Sequence, residues 1–192
     1  MTEVSQFAAI VLAAGASSRM GRTKALLQYQ GETFLSRSAR LFQPFCDPVI
    51  VVLPPPGLEC PGGVICTVNP APERGMLTSL QCGLKALPES ARFVFFTPVD
   101  LPAITAQTVS ALRKAAGQAP AIVPRYNGRR GHPVLISREL VEEFLELREP
   151  AAARDVIEGH SGQVRYIDVD DPWVLRDIDE PSTYAELTGA TP

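Results

Sequence analysis

Apolar residues in this chain gather into short unbroken runs, separated by stretches of helical period. The first run, Ala8-Ala9-Ile10-Val11-Leu12-Ala13-Ala14, is seven residues long without a polar interruption. That pattern predicts a strand buried on both faces, as in parallel sheets. Val49-Ile50-Val51-Val52-Leu53 reads the same way, as does Phe93-Val94-Phe95-Phe96 within 92–97. Shorter strand-like stretches fall at 64–68, 121–123 and 164–169, with an extended segment at 132–136. Between them the period changes. Thr33 is a predicted N-cap for a helix carrying Phe34, Leu35, Ala39, Leu41 and Phe42, which Pro44 and Pro48 end. Leu77, Leu80, Leu84 and Leu87 keep helical spacing up to Pro88, and Val109 and Leu112 share a face within 105–116. Ser137 is a predicted cap for a helix holding Leu140, Val141, Phe144 and Leu145. Residues 151–157 suit a short helix and 181–187 a closing one. Pro54-Pro55-Pro56-Gly57 forbids regular pairing and marks an exposed connection; the sequence suggests no function for 54–63.

Strands alternating with helices imply a parallel-dominated sheet covered on both faces. Ligands in such sheets bind at the carboxyl ends of the strands. The chain shows no repeat and no linker, so residues 1–192 are expected to form a single domain. A net charge of −3 argues against a nucleic-acid binder that works by phosphate neutralisation. No apolar run approaches the roughly 18–20 residues needed to span a bilayer, and the start lacks a basic region of secretory type. A cytoplasmic protein, associated with neither membrane nor nucleic acid, is expected. Four cysteines, Cys46, Cys60, Cys66 and Cys82, contain no Cys-x-x-Cys pair and no standard zinc spacing. Reduced structural thiols are the expectation.

The chemistry concentrates where the first run ends. Gly15-Ala16-Ser17-Ser18-Arg19-Met20-Gly21 follows it directly, and Lys24 comes three residues later. Small residues let backbone N–H groups approach a ligand. With Arg19 and Lys24 they suit a phosphate. The loop is not a Walker A motif, because five residues separate its glycines and no lysine directly follows the second. It also lacks the Gly-x-Gly start of a dinucleotide loop. Asp100 is the second anchor. It follows another predicted strand, and Pro98 and Pro102 stiffen the backbone around it. It reads either as a Mg²⁺ ligand facing bound phosphates or as a turn aspartate bonding its own backbone. Its strand-end position puts it on the same sheet edge as the loop.

Leu12-Ala13-Ala14-Gly15-Ala16-Ser17-Ser18-Arg19-Met20-Gly21, followed after two residues by Lys24, resembles the nucleotide loop of the molybdenum cofactor cytidylyltransferases and guanylyltransferases. Pro98-Val99-Asp100-Leu101-Pro102 resembles the metal motif of that family, and Asp177-Ile178-Asp179-Glu180-Pro181 its closing motif. Gly131-His132-Pro133-Val134 is similar to a stretch in the cytidylyltransferases, and Gly75 to Gly83 also matches, with Ser79 expected near the base. The resemblance spans residue 8 to about 187.

It implies a three-layer α/β/α Rossmann-like nucleotidyltransferase fold with a mainly parallel sheet. The N-terminal half would bind nucleotide and the C-terminal half the acceptor. It implies Arg19, Lys24 and Asp100 as catalytic residues, and Mg²⁺ on Asp100 and Asp179. Leu12, Ala13, Ala14, Gly15, Ser17, Ser18, Ser79 and His132 are implied as substrate contacts. Asp179 reads equally as a helix start before Pro181, and Asp177 is a lesser candidate. His132 reads equally as a packed ring and Ser79 as part of a helix start; Arg125, Arg129 and Arg130 read either as contacts for an acidic acceptor or as a solvated loop.

Within the family, Leu-Ala-Ala-Gly marks the CTP-using type and Leu-Ala-Gly-Gly the GTP-using type. The Ala14 methyl is therefore expected to select against a purine. The implied reaction transfers CMP from CTP to the terminal phosphate of molybdenum-bearing molybdopterin. A molybdoenzyme or its chaperone would receive the product. The same apparatus could instead use GTP, or a sugar or alditol phosphate. A cofactor-binding chaperone without turnover is the alternative from another class.

Overall fold

The computed structural model describes residues 5–15, 20–21, 23–148 and 150–190. The first apolar run forms β1 (Phe7–Leu12). A two-stranded hairpin follows, β2 (Gln28–Tyr29) and β3 (Glu32–Thr33), leading into α1 (Phe34–Phe42). Thr33 caps α1 as expected, its hydroxyl accepting from the Ser36 N–H at 3.1 Å. The chain continues through β4 (Val49–Leu53), β5 (Ile65–Val68), α2 (Met76–Lys85), β6 (Phe93–Pro98) and α3 (Ala106–Lys114). Then come β7 (Ala121–Tyr126), β8 (Arg129–Arg130), β9 (Val134–Ser137), α4 (Val141–Glu146), α5 (Ala153–Gly159), β10 (Val164–Asp168) and α6 (Pro181–Thr188).

The main sheet has the order β10-β7-β9-β6-β1-β4-β5, with β8 paired to β7. β1 runs parallel to both β4 and β6, β4 to β5, and β7 to β10. Among the described residues of this sheet, only β9 and the short β8 oppose their neighbours. Alternate side chains of each central strand enter opposite faces. Ala9, Val11, Val51 and Phe95 pack with Phe34, Phe42, Leu112 and Tyr184 of α1, α3 and α6. Ile10, Leu12, Val52 and Phe96 pack with Leu80, Phe144 and Ile157 of α2, α4 and α5. Every residue of β4 is buried because both faces are covered. The three-layer α/β/α architecture expected from the sequence is the observed one. Gly83 permits the close approach of α2: a Cβ there would meet Ile10 Cγ2 at 2.5 Å. No helix among the described residues is long and apolar enough to cross a membrane.

Three expectations need correction. The first concerns the thiols. Cys60 and Cys66 are joined as a disulfide rather than reduced, because the proline-rich connection returns to β5 and brings their Cα atoms to 6.0 Å. Cys46 and Cys82 are the free thiols, and burial pushes the Cys46 thiol up to about 12. Ser137 is the second. It ends β9 and precedes a 3₁₀ turn, Arg138–Leu140, and its buried hydroxyl makes no hydrogen bond. The third is the 127–131 loop, which is a tight hairpin: Asn127 and Gly128 take positive φ and β8 pairs back onto β7.

Candidate active site

Lys24 opens a 3₁₀ turn, Lys24–Leu26, whose Ala25 is buried in the core. Its ammonium group donates to Asp100 Oδ2 at 2.8 Å and also contacts Asp179 Oδ1. Three backbone ties hold these residues at one edge. Leu12 and Pro98 lie side by side at the ends of β1 and β6. The Val99 N–H donates to the Leu12 carbonyl at 3.0 Å, and the Ile178 N–H to the Asp100 carbonyl at 2.8 Å. Arg37 of α1 braces the same loop by donating to the Pro102 carbonyl at 2.6 Å. The loop after β1 and Asp100 therefore share the carboxyl edge, as the strand reading required. Ser17, Ser18 and Arg19 lie outside the described residues.

Among the described residues, charge in this cluster is unbalanced toward the negative. Burial alone would lower the Lys24 pKa, but Asp100 and then Asp179 outweigh it and raise the value above an ordinary lysine's. Asp177 stands nearby. Its pKa is raised, first by burial and then by the Asp179 and Asp100 charges. Asp100 Oδ1 is buried without a hydrogen-bond partner. Among the described residues no group of three or more His, Cys, Asp or Glu forms a metal cage. One or two carboxylates, with a lone oxygen left open, nevertheless fit Mg²⁺, which takes its remaining ligands from phosphate and water.

A cavity of about 570 Å³ opens above the cluster. Leu12, Ala13, Ala14, Gly15, Lys24, Ser79, Asp100, His132, Asp177 and Asp179 all line it. His132 arrives by a route that the sequence did not reveal. β9 is antiparallel to β6, with Val134 opposite Phe96, so the start of β9 meets the end of β6. The His132 ring lies edge-on to Phe96 with centroids 6.2 Å apart, and Nδ1 is enclosed and unpartnered. Burial lowers its pKa, against the smaller opposing effects of the Phe96 carbonyl and Asp100, and keeps the ring neutral at pH 7. Arg129 and Arg130 line the cavity. Arg125 does not: its guanidinium pairs with Asp168 at 2.7 and 2.9 Å, because β10 lies beside β7.

Two buried polar residues escaped the sequence reading. Asn69, after β5, donates to Ser79 Oγ and to Thr78 Oγ1, each at 2.9 Å, and accepts from the Ala71 N–H at 3.0 Å. It fixes the start of α2 and the Ser79 hydroxyl. Asp171 caps the 3₁₀ turn Pro172–Leu175 and accepts from the Thr105 N–H and hydroxyl, both at 2.9 Å, and from Thr108 Oγ1 at 2.8 Å. That lock positions residues 171–179. Val174 presses so closely on Gly131 that a Cβ there would lie 2.2 Å from the Val174 carbonyl oxygen, which also accepts from the His132 N–H at 2.9 Å. An Asn-Pro after a strand and an Asp-Pro before a turn were the available signals.

Comparison with known proteins places these features in context. Residues 9–164 match the family described as MobA-like NTP transferase domain. The molybdenum cofactor cytidylyltransferase of Escherichia coli (strain K12) is 26% identical over 181 residues, covering 91% of this chain and 92% of that protein. A probable molybdenum cofactor guanylyltransferase of Mycobacterium ulcerans (strain Agy99) is 31% identical over 157 residues, covering 77% and 75%. The crystal structure of Rv0371c from Mycobacterium tuberculosis H37Rv superposes with a TM-score of 0.83 at 27% identity, covering 98% of this chain and 100% of that one. A second Rv0371c structure is a complex with manganese, at a TM-score of 0.77 and 26% identity, with coverage of 98% and 100%.

Proposed function

The chain belongs to the MobA-like NTP transferase domain family, and we propose that it transfers CMP from CTP to the terminal phosphate of molybdenum-bearing molybdopterin. Nucleotidyl transfer is the activity of the family. The nucleotide, the acceptor and the residue roles are our own reading. The observation that carries it is the Lys24–Asp100–Asp179 cluster at the mouth of a cavity walled by Leu12, Ala13, Ala14 and Gly15.

An oxygen of the acceptor phosphate attacks the α-phosphorus of CTP in line. The bond from that phosphorus to the bridging oxygen of the β-phosphate breaks, and pyrophosphate leaves. A phosphate monoester has a second pKa near ~6 and is already anionic at neutral pH, so no strong general base is needed. The protein's task is alignment and charge neutralisation. Lys24, with Arg19, binds the triphosphate. The N–H groups of the loop after β1 hold its phosphates, Ser17 and Ser18 contact it, and Ser79 faces the base. His132 bounds the acceptor side as a neutral ring. Asp100 and Asp179 are the residues that would hold Mg²⁺, which when bound neutralises charge on the phosphate oxygens. The manganese complex of Rv0371c supports a divalent cation.

Residues 1–192 act as one domain in this reading, in the cytoplasm, with a molybdoenzyme or its chaperone taking the product. CTP is favoured over GTP by Ala14 and by the coverage of the Escherichia coli relative. Guanylyltransferase relatives of higher identity supply the second reading, GTP. A pyrophosphate-release assay with CTP and GTP, against molybdopterin and a panel of sugar and alditol phosphates, separates these. Release with CTP and molybdopterin supports the proposal, and release only with GTP or a sugar phosphate contradicts it.

A further inference from the structure

Asn69 sits between β5 and α2, is 1% exposed, and has its side-chain amide held from both ends. Its backbone N–H donates to the Leu53 carbonyl at 2.9 Å, which ties it to the end of β4. The Ala71 N–H lies 3.0 Å from Oδ1. A backbone N–H can only donate, so the atom it meets is the amide oxygen, and the amide nitrogen faces the other way. That nitrogen carries two protons and has two partners, Thr78 Oγ1 and Ser79 Oγ, each at 2.9 Å. Both hydroxyl oxygens therefore accept, and each must donate its own proton elsewhere. Thr78 donates to the Gly75 carbonyl at 2.8 Å. Among the described residues Ser79 has no acceptor for its proton. Ser79 lines the cavity above the Lys24 cluster, so that proton is available to whatever the cavity holds.

A hydroxyl ordinarily rotates to give or take a hydrogen bond as its ligand requires. Asn69 removes that freedom and leaves a donor. The pairing edges of the bases answer a fixed donor differently. Cytosine presents two adjacent acceptors, O2 and N3. Uracil and guanine place an N–H in the middle of the same edge, and that N–H opposes a donor. Opposed or unpaired polar groups are costly in a buried site. A fixed donor therefore selects by polarity, where the Ala14 methyl selects by size.

We propose that Asn69 is a positioning residue for base choice: it fixes the Ser79 hydroxyl as a donor to N3 of a cytosine and so disfavours uracil and guanine. The inference rests on the transferase reading given above, in which Ser79 faces the base. It adds a discrimination that size cannot supply, because cytosine and uracil have nearly the same outline. Asn69→Asp inverts the arrangement with little change of shape. A carboxylate oxygen in place of the amide nitrogen accepts from both hydroxyls, and Ser79 then turns a lone pair to the base.

The test is isothermal titration of the full chain with CTP and with UTP, both with Mg²⁺ present, reading the ratio of the two affinities. The two nucleotides carry the same ribose and triphosphate, so any loss they share cancels. Wild type should favour CTP by about tenfold or more, and Asn69→Asp should cut that ratio about tenfold. Ser79→Ala, which leaves the Asn69 bonds to Thr78 and Ala71 in place, should cut it by a similar factor and carries the test alone if Asn69→Asp does not fold. Thr78→Val loosens the same helix start without touching the donor and should keep the wild-type ratio. Equal binding of CTP and UTP by wild type, an unchanged ratio in Ser79→Ala or in folded Asn69→Asp, or an equal change in Thr78→Val would overturn the assignment. A ratio that depends on Asn69 and Ser79, without pyrophosphate release on any acceptor, overturns the transferase reading alone. Pyrophosphate release from CTP, with a ratio indifferent to both variants, overturns the Asn69 assignment alone.

Discussion

Lys24 Nζ lies 2.8 Å from Asp100 Oδ2, a contact between residues 76 positions apart in the chain. It exists because β1 and β6 are parallel neighbours, in register from Phe7 opposite Phe93 to Leu12 opposite Pro98. Whatever follows one strand therefore faces whatever follows the other. Lys24→Ala leaves the two carboxylates without the ammonium group and removes a cation from the proposed triphosphate site. CTP binding, measured by isothermal titration, should weaken about tenfold or more. Unchanged affinity would count against Lys24 as a phosphate ligand.

Ala14 lines the cavity proposed to hold the nucleotide and is almost fully buried. One methyl in a snug pocket discriminates by about tenfold or more. Ala14→Gly should shift the ratio of kcat/KM for CTP over GTP toward GTP by roughly that factor. A ratio that does not move removes Ala14 as the base selector.

Asp171 ties the segment carrying Asp177 and Asp179 to α3 through Thr105 and Thr108. Asp171→Ala strands their buried donors, at a cost of about 1–3 kcal/mol. Urea unfolding should show the loss. Metal-dependent turnover should fall in the same variant under conditions where it stays folded, because Asp179 is no longer held against Lys24. Wild-type stability and turnover together would remove Asp171 as a positioning residue.

Both anchors of the site were legible in the sequence for a local reason. Buried strands announce themselves as unbroken apolar runs, and the loop after β1 and Asp100 follow directly from such runs. His132 was legible only as a motif. Its arrival at the same edge depends on β9 running antiparallel, and the 132–136 stretch carries no signal of strand direction. The Cys60–Cys66 bridge depends on the proline-rich connection folding back on β5, which local pattern does not encode. Asp171 looks like an ordinary turn aspartate until Thr105 and Thr108, more than sixty residues earlier, become its donors. Arg125 was grouped with Arg129 and Arg130 by proximity alone. The pairing of β7 with β10 sends it to Asp168 instead.

Gly83 tests the packing that carries the site. Its missing side chain lets α2, and with it Ser79, sit close on β1. Gly83→Ala pushes a methyl into Ile10 Cγ2, a stiff β-branched group. Stability should fall by about 1–3 kcal/mol, read as a lower urea midpoint. An unchanged midpoint would mean that the helix has room to shift.

Asp100 carries the central claim, that metal-assisted nucleotidyl transfer occurs at this sheet edge. The most direct measurement is pyrophosphate release from CTP by wild type and Asp100→Ala, at saturating Mg²⁺ and acceptor, with circular dichroism confirming the fold. The account predicts a folded variant with turnover reduced by about a hundredfold or more. A folded variant with near-normal turnover would contradict it.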